Sequence, residues 1–170
     1  VFNFVIDIYQ KKLFNKKRTI DLVYYNRDHP NKSDNSQIEL IKEFKNKFII
    51  YIVGNRLNIN GVKNIGFVKR KKLTTLLSKS KIVLNSSENF YTLFVIDALN
   101  HGCNIINNNL VPTNIFDKKK FIILKEDFKK NIFLINQVLI DFKEKKYEKI
   151  TTKNYSIIKN KISNYMDKII

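Results

Sequence analysis

The chain has 170 residues, 44% of them hydrophobic, which suits a single globular domain with a real core and excludes a disordered chain. Its 32 Lys+Arg against 15 Asp+Glu leave a net charge of +17, which invites an anionic partner. Lys, Asn, Ile, Phe and Tyr all have A/T-rich codons, so compositional bias is a competing source of a Lys-rich surface.

Among anionic partners, a membrane surface or a phosphorylated ligand ranks ahead of nucleic acid. The lone cysteine, Cys103, excludes an internal disulfide and sits in an apolar run that suits a buried, inert thiol. No segment reaches the roughly 18 consecutive apolar residues of a membrane span. VFNFVIDI (1–8) is too short to span and has no basic region before it, so it does not read as a signal peptide. A cytoplasmic location is the expectation. The opening residue is Val1 rather than Met, which suggests a piece of a longer protein.

Strand-like and helix-like segments alternate along the chain. TIDLVYY (19–25) reads as a buried strand, followed by the polar loop NRDHPNKSDN. SQIELIKEFKNKF (36–48) has helical apolar spacing, with Ser36 and Glu39 as a capping-box signature. FIIYIVG (48–54) is a second buried strand, VKNIGFV (62–68) a short strand and turn, and KKLTTLLSKS (71–80) an amphipathic helix. KIVLN (81–85) is a strand, and a helix is expected from about 91 to 101, with Gly102 placed to end it in the left-handed conformation. CNIIN (103–107) and FIIL (121–124) are further strands, NIFLINQVLIDF (131–142) is helical, and 151–170 reads as a final amphipathic helix.

Strands that are apolar on both faces and alternate with helices predict an α/β, Rossmann-like parallel sheet flanked by helices. Ligands of such sheets bind beyond the carboxyl ends of the strands. That rule selects three loops: 26–35, 54–61 and 85–92.

Loop 26–35 carries Arg27 and Lys32, a planar fork and a mobile charge that together suit a diphosphate. In a chain this basic, such a pair also arises by chance. Loop 85–92 runs into a helix start, so backbone N–H groups near Tyr91, Thr92 and Leu93 would face an anion there. Glu88 could accept hydrogen bonds from hydroxyls. Asp97 lies within that helix among Leu93, Phe94, Val95, Ile96, Ala98 and Leu99. It is either a ligand-holding carboxylate or a member of an exposed stripe, because burying it unpaired would be costly.

Gly-x-Gly-x-x-Gly is absent, which disfavours the usual nicotinamide or flavin site, and no P-loop motif occurs. His29 and His101 have no neighbouring ligand set, so neither a zinc site nor a catalytic triad is expected. His101 reads as a residue of the last helical turn.

The order of NRDHPNK, FIIYIVG, NGVKNIGFVKRKKLTTLLSKSKIVLNSSE and DALNHGCNII resembles the C-terminal domain of retaining glycosyltransferases of the GT-B fold, family 4 in particular. The similarity runs from about residue 19 to residue 140. It implies the C-terminal, donor-binding half of a two-domain enzyme that transfers a sugar from a UDP- or GDP-linked donor to a glycan or lipid-linked acceptor. It further implies no metal and no cofactor. Carried over, Arg27 and Lys32 clasp the donor diphosphate, with the backbone at Tyr91, Thr92 and Leu93. Glu88 lies by the donor sugar as the catalytic residue, and Asp97 takes the ribose hydroxyls.

The second acid of the motif is Asp where the family has Glu. One residue more than in the family separates it from Glu88, so either Glu88 or Asn89 takes the first position. Residues 1–18 would be a linker or the end of an N-terminal domain, 19–145 the nucleotide-sugar-binding domain, and 146–170 a helical tail. The alternative is a degenerate, non-catalytic module of this kind that binds a partner protein or an anionic membrane surface, such as the inner membrane face. Nucleic acid is not an expected partner.

Overall fold

The computed structural model describes residues 17–29, 35–85, 93–107 and 121–142. Six strands form one parallel sheet: β1 (Ile20–Asn26), β2 (Ile50–Gly54), β3 (Lys63–Gly66), β4 (Ser80–Leu84), β5 (Asn104–Asn107) and β6 (Phe121–Ile123). Among the described residues, four helices accompany them: α1 (Asn35–Phe44), α2 (Arg70–Leu77), α3 (Leu93–Asn100) and α4 (Phe128–Ile140). The strand order is β3-β2-β1-β4-β5-β6, and every pairing is parallel. Chain direction across the sheet therefore reverses between β1 and β4. This is the doubly wound Rossmann arrangement, with its topological switch point between those two strands.

The two-residue period of the strands sends alternate side chains to opposite faces, and both faces are apolar. Leu22 and Tyr24, Ile50 and Ile52, and Ile82 and Leu84 join Leu40, Ile41 and Phe44 of α1 and Ile135 and Leu139 of α4 in one core cluster. Val23, Val53, Val83 and Ile105 join Leu77 of α2 and Phe94, Val95, Ala98 and Leu99 of α3 in the other. The result is three layers, with α1 and α4 on one face and α2 and α3 on the other. Among the described residues, no helix is long and apolar enough to cross a membrane.

Several boundaries differ from the sequence expectations, each for a local reason. Helix α4 begins at Phe128 rather than 131 because Asp127 caps it, accepting from the Lys130 backbone N–H at 3.1 Å. That bond holds the Asp127 carboxyl below its ordinary pKa. Helix α1 already includes Ser36, and Glu39 pairs with Lys42 at 2.6 Å. Helix α2 stops at Leu77, and β4 begins at Ser80, whose hydroxyl donates to the Leu76 carbonyl at 2.7 Å.

Gly102 behaves as expected, with φ +71°. The Cys103 N–H bonds to the Ala98 carbonyl at 3.0 Å and the Gly102 N–H to that of Leu99 at 2.9 Å, the paired bonds of a Schellman stop. The expected tail helix at 151–170 lies outside the described residues.

Arg18, the last residue of the expected linker, docks onto the amino edge of the sheet. Its guanidinium donates to the carbonyls of Ser80, Leu77 (3.5 Å) and His101 (2.6 Å). Two of these carbonyls close helix ends, where a cation is favoured by the helix dipole. Cys103 lies beside it, fully buried, and burial pushes its thiol up to about 11, with the Arg18 charge opposing the rise.

Folding thus favours the neutral thiol. That contribution is complete below pH 9, the thiol's ordinary value, and is lost as pH rises toward 11. The expected result is a drop in urea midpoint between pH 9 and 11 that is smaller in Cys103→Ala, and no alkylation of the native thiol at neutral pH.

Candidate functional site

The switch point sits where β1 ends at Asn26 and β4 ends at Leu84, adjacent strands paired at Tyr24 and Leu84. The loops leaving these two strands are 26–35 and 85–92, both selected from the sequence. Arg27, half-buried, is the first residue beyond β1 and so stands at this edge. Leu93 opens α3, placing the N-terminus of that helix on the other side of the same crevice. Tyr25 of β1 stacks on Phe94 of α3 with ring centroids 4.9 Å apart, which fixes the helix start against the strand. Lys32, Glu88, Asn89, Tyr91 and Thr92 lie outside the described residues.

The floor of this edge is built from amides. Asn26 donates from Nδ2 to the Asn55 carbonyl at 3.0 Å, and the Asn55 N–H returns to the Asn26 carbonyl at 2.9 Å. Asn55 Oδ1 accepts from the Asp28 N–H at 3.1 Å, tying the loop after β1 to the loop after β2. On the other side of the switch point, Gln37 of α1 donates to the Asn85 carbonyl at 2.7 Å, and Asn85 Nδ2 to Asn107 Oδ1 at 3.3 Å. Asn26, Asn85 and Asn107, each at or just past a strand end, are buried.

Only the start of the third selected loop, 54–61, belongs to this edge. Beyond Arg56 the chain crosses back to start β3. Leu57, Ile59 and Val62 pack against the α1 side of the core, and Asn64 pins Leu57 by two 2.9 Å bonds. A parallel pair needs a crossover, and here the loop supplies it without a helix.

Asp97 is not on an exposed stripe: its side chain is only 5% exposed. Both carboxylate oxygens are engaged by Arg70, the first residue of α2. Nε donates to Oδ2 at 3.0 Å and Nη2 to Oδ1 at 2.7 Å. This fork is what makes burial of the acid tolerable, and it raises the Arg70 pKa above its ordinary value. Sequence reasoning missed Arg70. It sits 27 positions from its partner, in a run of four cations (69–72) that offers no local cue to single it out. The signal that could have pointed to it is the acid itself, which sits in an apolar helix and demands a cation nearby.

His101 follows α3. Its Nδ1 lies 2.6 Å from the Asp97 carbonyl; a carbonyl only accepts, so that nitrogen carries the proton.

No protein-family model matches the chain, and no curated protein matches it. Solved structures do. The chain is similar to Anabaena HepE in complex with UDP and glucose, with a TM-score of 0.58 and 14% identity over 75% of this chain and 40% of that one. It is similar to the pneumococcal O-GlcNAc transferase GtfA in complex with UDP and GlcNAc, with a TM-score of 0.53 and 13% identity over 85% of this chain and 33% of that one. A third structure, the spinosyn forosaminyltransferase SpnP, gives a TM-score of 0.52 and 12% identity over 91% of this chain and 42% of that one. The fold is that of a Rossmann-like unit of GT-B glycosyltransferases, and the chain spans about two fifths or less of the length of these structures.

Proposed function

We propose that the chain is the donor-binding, C-terminal part of a glycosyltransferase that moves a sugar from a nucleoside-diphosphate donor to a glycan or lipid-linked acceptor. The observation that carries this reading is the crevice between β1 and β4, with Arg27 on one side and the start of α3 on the other. An arginine just past one strand end and a helix N-terminus just past the adjacent one form a pairing that suits a diphosphate. The same donors would stabilise charge building on the leaving diphosphate, so transfer needs no metal. In this reading Lys32 joins Arg27 on the phosphates, as do the backbone amides at Tyr91, Thr92 and Leu93. Glu88 lies by the sugar and Asp97 meets the ribose. Two of the similar structures, HepE and GtfA, are complexes with UDP, in keeping with a uridine donor. Retention of anomeric configuration belongs to the same proposal.

The chain should be protected against heat by a UDP-, GDP- or ADP-linked sugar, and Arg27→Ala or Lys32→Ala should abolish most of that protection. A protein carrying the remainder of the enzyme that neither binds nor hydrolyses any donor of such a panel would overturn the reading.

The covered state of Asp97 favours a second reading, a degenerate module that binds a partner or an anionic surface, because an acid paired on both oxygens is poorly placed to hold a diol. Binding to anionic vesicles that falls steeply with salt, without any nucleotide binding, would establish it instead.

A further inference from the structure

Two groups want the same carboxylate. Asp97 offers its two oxygens in one plane, and Arg70 meets both with parallel N–H donors at 3.0 and 2.7 Å. A vicinal diol would present two O–H donors to the same pair of oxygens. The carboxylate is fixed and buried, with 5% of its side chain exposed, whereas 66% of the Arg70 side chain is exposed. If one partner moves, it is the arginine, a long stem rooted at the first residue of α2.

That root lies at the carboxyl edge of the sheet, since α2 runs from the end of β3 back to the start of β4. Arg70 is joined there by Lys69, Lys71 and Lys72, all exposed, and the first turn of α2 holds no acid to pair with them.

We infer that Arg70 is a specificity-determining latch: it closes Asp97 in the free protein, yields the carboxylate to a ligand diol, and on release turns its charge to the diphosphate of the same ligand. This deepens the donor-binding reading above and rests on it. A ligand with a diol but no phosphate must break the ion pair without recompense. A ligand with a diphosphate but no diol leaves Arg70 engaged. Only a nucleotide that carries both satisfies every group, so one arginine makes recognition of the two halves cooperative. The pairing also explains how the chain keeps an acid at this position buried when no ligand is bound.

The test is calorimetric titration of the full chain with UDP, GDP and ADP and with the three matching nucleosides. The wild-type chain is expected to bind at least one diphosphate and to prefer it strongly over its nucleoside. Arg70→Gln should bind that nucleoside several-fold tighter, because the competitor is gone. It should also lose about tenfold of the preference for the diphosphate, the scale of one charge-assisted hydrogen bond. Arg70→Lys keeps the charge without the fork and should fall between the two, which keeps the test readable should the glutamine variant fold poorly.

Equal changes for nucleoside and diphosphate, or a weaker nucleoside, would overturn the latch while leaving donor binding in place. A cooperatively folded wild-type chain that binds none of the three diphosphates would overturn both.

Discussion

Gly54→Ala should destabilise the fold by about 3 kcal/mol or more, combining a left-handed-backbone penalty with an overpacking clash. Gly54 ends β2 with φ +93°, and a Cβ placed there would stand 2.2 Å from the Asn26 carbonyl oxygen, with Tyr25 Cε2 at 3.2 Å. The obstacle is backbone of the neighbouring strand, which cannot swing aside as a side-chain tip would. Relief requires β1 and β2 to part at their carboxyl ends, where Asn26 and Asn55 are stitched together. The same movement would displace Arg27, the next residue along. Urea unfolding reads the loss directly, and a midpoint within error of wild type would show that this strand end is laxer than its geometry implies.

Arg18→Ala should be the second large loss, about 2–3 kcal/mol, from charge-assisted hydrogen bonds that have no substitute. One guanidinium satisfies carbonyls at Leu77, Ser80 and His101, joining the end of α2, the start of β4 and the turn after α3. It also stands 5.7 Å from the centre of the Phe142 ring, beyond α4, a cation–π contact that adds to its hold. Arg18→Lys should recover little, because a single ammonium cannot reach carbonyls set in a fork. Equal stability of Arg18→Ala and wild type in urea would mean these carbonyls are as well served by water.

Much of this fold was legible in the sequence because its strands are buried on both faces. TIDLVYY, FIIYIVG and KIVLN each hold consecutive apolar residues (LVYY, FIIYIV and IVL) rather than a strict polar alternation, and a sheet covered on two sides makes such runs stable. Gly102 announced the end of α3 for an equally local reason. What stayed hidden was everything that depends on long-range pairing. Arg18 looked like linker because its partners lie 59 to 83 residues away. Asp97 could be read as solvated or ligand-holding, and the residue that decides between exposure and burial, Arg70, comes from a different helix. Loop 54–61 looked like a ligand loop because the rule for strand ends does not reveal that β2 and β3 lack a helix between them. Of the expected site, the structure brings Arg27 and the start of α3 to one crevice, while Lys32, Glu88, Tyr91 and Thr92 lie outside the described residues.

Binding of a nucleoside diphosphate at the β1–β4 crevice is most directly tested by titrating the full chain with UDP, GDP and ADP, wild type beside Arg27→Ala. Saturable binding of at least one diphosphate, weakened about tenfold or more by the loss of a bidentate phosphate contact, is the expected result. Absence of binding for all three, or binding that Arg27→Ala leaves unchanged, would contradict it.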